Sequence, residues 1–329
     1  MVYKAERGAK IIINDWMRIR RRDRLLIVTS YQYIMEAKLL KKYALKRKAS
    51  VDMLILEKAG KQVGVFFDEN ETAFDDYTAI IGTTDYSLIT TKATKRAVKR
   101  GSRFLSLPLS VNNDKSMLSY DFITMDTKKA KMMANIIMKY IRNSSVLRIT
   151  TNKGTDLKVY KRRRKTGLFN GVPKDGKGLS SASFEIYVPI EETKTEGIMV
   201  VDGSLGYIGR PKEPVEVVFS KGRIAEIEQN PSGIKLKEYI KTFKDSNMYI
   251  SSEFGIGLNS YAKCEGNCYI EDESAYGTFH IGLGRNIALG GSLEAKGHFD
   301  LTSLEPDIYA DNRKIMDKGR IIVPELQIY

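Results

Sequence analysis

Histidine and cysteine occur only twice each in this chain of 329 residues, and tryptophan once. Two cysteines, Cys264 and Cys268, cannot build a disulfide framework, and their C-x3-C spacing is not the C-x-x-C of a redox or zinc pair. A reducing compartment fits. No apolar run approaches the ~18 residues that a membrane span needs. The first residues, Met1-Val-Tyr-Lys-Ala-Glu-Arg7, lack the apolar core of a secretory signal. There is no G-x-G-x-x-G and no Walker loop, so nothing points to a bound nucleotide. Zinc-finger spacing, the aromatic pattern of RNA-binding strands and a basic region leading into heptads are missing too. A cytoplasmic protein without a membrane partner is expected.

What the chain has in excess is positive charge. The net charge is +14, with basic runs at Arg18-Ile-Arg-Arg-Arg-Asp-Arg24 and Lys161-Arg-Arg-Arg-Lys165. Such charge invites nucleic acid, because lysine and arginine neutralise phosphates. Without a recognition signature the runs read as solvated faces, and no nucleic-acid partner is expected. The apolar fraction of 42% and charged fraction of 29% are those of a globular protein. The length favours two domains.

The first half alternates strand and helix. Leu25–Ser30, Val51–Leu56, Thr78–Ile81 and Arg103–Leu107 are short β-branched apolar runs, the pattern of buried parallel strands. Helical stretches are predicted over Tyr33–Ala49, Lys92–Arg100 and Thr127–Arg142. This alternation predicts a doubly wound, Rossmann-like α/β domain over residues 1–144. Beyond it the texture changes. Asn152-Lys-Gly154 joins two alternating runs, a hairpin signal, and short strands follow with one amphipathic helix near Ile234–Phe243. Residues 145–329 are predicted to form a β-rich α+β domain that carries the chemistry.

Both histidines fall late, in Gly277-Thr-Phe-His-Ile-Gly-Leu-Gly284 and Gly297-His-Phe-Asp300. Residues two apart on a strand share a face, so an extended run puts His298 and Asp300 side by side, suited to closing on a cation. Glu253 precedes a glycine-rich segment. Glu185 sits inside the apolar run Ser183-Phe-Glu-Ile-Tyr-Val-Pro189, where an unpaired carboxylate is costly. Tyr187, Tyr207, Tyr261, Tyr276 and Arg285 are pocket candidates by position, with Arg285 suited to a substrate carboxylate.

The stretch from Ser251 to Asp300 resembles the M29 family of metal-dependent aminopeptidases, the aminopeptidase T and aminopeptidase S group. The elements that carry the likeness are Glu253-Phe-Gly-Ile-Gly-Leu-Asn259, Asp272-Glu273, the two histidine segments and Gly290-Gly291. Weaker likeness extends over most of the chain. The resemblance implies that Glu185, Glu253, His280, His298 and Asp300 hold two divalent ions of zinc, cobalt or manganese. It also implies a homodimer.

On this resemblance the expected function is an aminopeptidase-like hydrolase acting on peptides or small molecules through a two-metal-activated water. Glu253 or Glu185 would move the proton, and Arg285 and Tyr276 would meet the substrate. Two departures count against peptide hydrolysis. Ile287 stands where the group has a tyrosine, seven residues after the first histidine, and the chain is short for the group. The alternative is a relative from the same superfamily resembling 2,5-dihydroxypyridine 5,6-dioxygenase. It would use one iron(II) in a two-histidine, one-carboxylate set made by His280, His298 and Asp300. Against it, those dioxygenases have a histidine near the Glu253 position and none at that of His280. A further alternative is a non-catalytic binding protein on the same fold.

Overall fold

The computed structural model describes residues 2–57, 60, 63–175 and 178–326. The chain clusters into two compact units, Met1–Thr127 with Phe169–Phe184, and Lys128–Leu168 with Glu185–Tyr329.

The first unit holds an all-parallel sheet in the order Ser50–Leu56, Arg24–Ser30, Ala79–Thr83, Arg103–Ser106 and Leu179–Ser181. Leu25 to Ser30 and Ala79 to Thr83 are buried throughout, which is why they read as unbroken apolar runs. Helices Val2–Ile11, Ile34–Lys46, Val63–Glu69 and Lys92–Lys99 belong to this unit. The last starts where the Thr91 hydroxyl accepts the Thr94 N–H at 3.2 Å, a side-chain cap. The doubly wound class expected for this region is observed.

The division does not fall at one point near residue 144. The buried stripe Ala134, Ile137, Met138 and Ile141 of helix Thr127–Arg142 packs in the core of the second unit. Residues 169–184 return to the first unit and supply its fifth strand. Neither exchange has a compositional signature, because each is decided by which core a face meets.

The second unit has two sheets. Eight strands run in the order 223–227, 215–220, 196–201, 156–160, 146–150, 307–310, 313–317 and 320–321. The hairpin expected around Asn152-Lys-Gly154 is present, with Val146 opposite Tyr160 and Thr150 opposite Asp156. A second sheet of five strands runs 298–304, 278–284, 251–257, 184–189 and 167–170. Helix Pro231–Lys241 is capped by Asn230, whose Oδ1 accepts the Gly233 N–H at 2.8 Å. Among the described residues, no helix is long and apolar enough to cross a membrane.

Candidate metal centre

The five-stranded sheet places chemistry on one face by alternation alone. Phe254, Ile256, Phe279, Ile281, Leu283, Phe299 and Leu301 point into the hydrophobic core. Their neighbours Glu253, Gly255, His280, Gly282, His298 and Asp300 take the opposite face. Glu185 and Tyr187, on the adjoining strand, register with Gly257 and Gly255.

Glycine clears the space. Gly255 lies opposite both His280 and Tyr187, and a Cβ there would fall within the His280 ring. Gly282 lies between Glu253 and Asp300, and a Cβ there would come within 2.7 Å of His298 Cε1 and 2.8 Å of Asp300 Oδ1. The glycines that alternate with the ligating residues are thus the floor on which their side chains lie.

Two groups of donors form on this floor. Glu185, Glu253 and His280 make one; Glu253, His298 and Asp300 make the other. Within each group the ligand atoms lie within 4.8 Å of one another. Glu253 is common to both. His280 Nε2 lies 2.7 Å from Glu185 Oε2, and His298 Nε2 lies 3.1 Å from Glu253 Oε2 and 3.4 Å from Asp300 Oδ1. The two histidines thus fall in different groups. The expected set of His280, His298 and Asp300 is not among the groups found in the described residues. Adjacent strands hold the rings over different acids, which strand alternation alone could not reveal.

The local electrostatics call for cations. Glu185, Glu253, Glu273 and Asp300 are all at least 95% buried. Burial pushes Glu253 up to about 7, against the pull of His298. Burial also raises Glu273, with Glu185 and Asp300 adding to the shift. For His280 burial works downward, but Glu185 and the other acids overcome it and hold the ring up to about 9. His298 is likewise raised against burial, chiefly by Asp300. The raised Glu253 and Glu273 and the raised imidazoles alike mark acids crowded together out of water, a strain that a bound cation would relieve. His280 Nδ1 is buried with no hydrogen-bond partner among the described residues. A donor set of hard carboxylates and imidazoles, buried, crowded and over a glycine floor, fits a divalent metal.

Second-layer contacts fix the ligands. His298 Nδ1 meets the Arg285 carbonyl oxygen at 2.9 Å; donating there leaves Nε2 as the free donor atom facing Glu253 and Asp300. The hydroxyl of Tyr269 donates to Asp300 Oδ2, and the Tyr269 ring stacks on Tyr207 at 4.1 Å. Tyr269 and Glu273 come from the short helix Tyr269–Ser274, and neither was singled out by sequence as a site residue. Three consecutive acids, Glu271-Asp-Glu273, two residues after Tyr269 were the signal the sequence offered.

The other pocket candidates divide. Tyr187 lies beside the acids: burial raises its phenol, and Glu253 and Glu185 raise it further. Arg285 spends its Nε–H on the Ala295 carbonyl at 2.8 Å and serves the site through its backbone oxygen. The Tyr276 hydroxyl accepts the Ile321 N–H at 3.0 Å, a structural bond. Tyr261 is 56% exposed. Ile287 lies in a short 3-10 turn, Ile287–Leu289.

This fold, carrying such a face, defines a protein with a candidate metal centre on one buried sheet. The family model described as NicX, 2,5-dihydroxypyridine 5,6-dioxygenase, matches residues 66–323, and the chain belongs to that family. A curated 2,5-dihydroxypyridine 5,6-dioxygenase from Pseudomonas putida KT2440 is 28% identical over 148 residues, a match spanning 41% of this chain and 41% of that protein. The solved structure of 2,5-dihydroxypyridine dioxygenase from Pseudomonas putida KT2440 superposes over 98% of this chain and 97% of its own, with a TM-score of 0.79 at 18% identity. AmpT from Thermus thermophilus superposes over 98% of this chain and 99% of its own, with a TM-score of 0.65 at 15% identity. At these identities the superpositions speak to fold.

The comparisons correct the expected activity. The family match and the curated relative are to a ring-cleaving dioxygenase, so the aminopeptidase-like hydrolase, its protease chemistry and its peptide substrate are set aside. The likeness to M29 peptidases is a shared fold. The expectation rested on a motif resemblance to one family, and motifs shared across a fold do not fix the reaction.

Proposed function

We propose that the protein is a metal-dependent ring-cleaving dioxygenase acting on 2,5-dihydroxypyridine or a closely related hydroxylated nitrogen heterocycle. The observation that carries the reading is the convergence of Glu253, His298 and Asp300 on one buried spot of the sheet, in a chain of the NicX family. Glu253, His298 and Asp300 would hold an iron(II) ion, with His298 locked in register by the Arg285 carbonyl and Asp300 by the Tyr269 hydroxyl. When bound, a ferrous ion supplies the redox chemistry by which dioxygen adds to an electron-rich ring. His280 Nε2 lies 2.7 Å from Glu185 Oε2, and in this reading the pair would hold a substrate hydroxyl proton or return it. Tyr187 offers an aromatic wall on the same face, against which a flat ring can lie.

The Glu185–Glu253–His280 group favours a second occupancy, in which two ions share Glu253. Elemental analysis of protein purified without chelator separates the two arrangements, as one or two ions per chain.

The function itself is tested with anaerobically iron-loaded protein in an oxygen electrode. Oxygen uptake with 2,5-dihydroxypyridine is expected, with both atoms of labelled dioxygen entering the product. Absence of uptake across a panel of hydroxylated pyridines and benzenediols, with iron bound, would overturn the reading.

A further inference from the structure

The first unit carries a second, unrelated feature in the basic run that begins at Arg18. A hollow of about 290 Å³ is bordered by Arg18, Arg20, Arg22, Arg103 and Lys174. Asp23 is the one acid among its lining residues. That carboxylate is already engaged three ways. Its Oδ2 accepts the Arg20 N–H at 2.7 Å and lies 2.8 Å from Arg103 Nη2, and its Oδ1 accepts the Thr78 hydroxyl at 3.1 Å. Five cations therefore face one committed anion, and the hollow has a surplus of four positive charges.

Among the described residues, two buried donors on residues that line this hollow are left without an acceptor. The indole Nε1–H of Trp16, a residue 1% exposed that lines the hollow, has no acceptor. Arg103 Nε is buried with none either. A buried donor without an acceptor is costly, so a protein that keeps two on residues lining a cationic hollow gains by placing an acceptor there. Among the described residues, no carboxylate pairs with the side chains of Arg20, Arg22 or Lys174, so these cations are available. The run is held in shape by a tight turn, in which the Asp23 N–H donates to the Arg20 carbonyl at 2.9 Å while Asp23 Oδ2 accepts the Arg20 N–H.

We propose that this hollow binds a phosphate group, either free or as the terminus of a small phosphomonoester. A carboxylate has two oxygens and one charge. A phosphate dianion offers three or four acceptor oxygens, which matches several guanidinium forks and an indole N–H at once. The residues that line the hollow all belong to the first unit and include none of the candidate metal ligands.

The test uses the full-length protein at fixed ionic strength. Equilibrium dialysis with labelled phosphate, and with glycerol phosphate as competitor, reads binding. Trp16 is the sole tryptophan, so its emission reads whether the ligand sits in this hollow. Saturable binding with a matching change in emission is expected, with chloride inert. The Arg20→Gln/Arg22→Gln double variant, and separately Lys174→Gln, should weaken it, the double variant by about ten-fold or more. Arg162→Gln/Arg163→Gln, an equal charge loss in the other basic run, should leave it unchanged. Competition by glycerol phosphate places the site on a phosphomonoester; binding of phosphate alone places it on the free ion. Absence of saturable binding, or equal loss in both double variants, would overturn the proposal. So would binding of an oligonucleotide without binding of phosphate, which would mark the run as a surface for a polyanion.

Discussion

The two small sheets of this molecule use the same strand geometry to opposite ends. In the parallel sheet of the first unit, Ala79 to Thr83 are buried without exception, and both faces are spent on packing. In the five-stranded sheet of the second unit only one face is spent. Phe254, Ile281 and Leu301 go to the core, and Glu253, His280 and Asp300 are left to the other side. The difference teaches where this chain can afford chemistry. A face that gives up its apolar contacts can collect buried charge only if its neighbour keeps the hydrophobic core intact and a cation offsets the acids.

The sharpest way to break the comparison is to remove a ligand. His298→Ala and Asp300→Ala should each empty the Glu253–His298–Asp300 group and cost roughly a hundred-fold or more in metal affinity and turnover, read by elemental analysis and oxygen uptake. Chelation should do the same reversibly, with a fall in melting temperature as the buried acids lose their counter-ion. Retention of metal in both variants would sink the assignment.

Next come the glycines, one in each sheet. Gly255→Ala puts a Cβ into the His280 ring, so it should destabilise by about 1–3 kcal/mol in urea unfolding and lower metal content. Gly82→Ala in the parallel sheet meets the end of the flexible Leu88 side chain at 3.1 Å and should be milder, with metal content unchanged. Equal effects would mean that the Gly255 floor has no special part in the site.

Tyr269→Phe keeps the stacking on Tyr207 but removes the hydroxyl that holds Asp300. Metal affinity should fall by about ten-fold or more while the melting temperature of the metal-free protein barely moves. A change in stability alone would make Tyr269 a packing residue.

The smallest effect concerns Glu192, which organises the loop after the His280 strand. Its Oε1 accepts Asn286 Nδ2 and the Ser292 N–H, each at 2.9 Å, and it pairs with Arg164. Burial opposes its ionisation, but these donors win and lower its pKa from 4.5 to about 2. A folded pKa below the unfolded one contributes stability that is fully present above about 4.5 and is lost as pH falls toward about 2. Glu192→Gln should therefore cost about 1–2 kcal/mol at pH 7 and almost nothing near pH 2. The measurement is a pair of urea transitions; a cost that persists undiminished in acid contradicts the ionic account.

Much of the site was legible in sequence because period-two alternation is a local property. His298-Phe-Asp300 and Glu253-Phe-Gly255 sort their side chains by chain geometry alone, and Glu185 was conspicuous as a carboxylate in an apolar strand. Tyr269 and Glu273 were not legible as site residues. They reach the face from a six-residue helix whose placement depends on how the strands around it pack. Arg285 was noticed for its guanidinium, whereas its contribution runs through a backbone oxygen, which every residue carries. The activity was not legible because the motifs that carry the likeness to the M29 peptidases are shared across the fold, whereas the reaction depends on the site around them.

The sequence by itself determined the alternation of apolar and polar residues along the late strands and the doubly wound pattern of the first unit, and its likeness to a known family singled out five side chains as candidate ligands. Only the tertiary structure decided that these donors split into two groups sharing Glu253, that helix Thr127–Arg142 packs with the second core, and that five basic residues surround one committed aspartate. The physical reason is range. Which face a residue takes follows from its own strand, but which residue it meets there depends on register and packing between segments far apart in the chain.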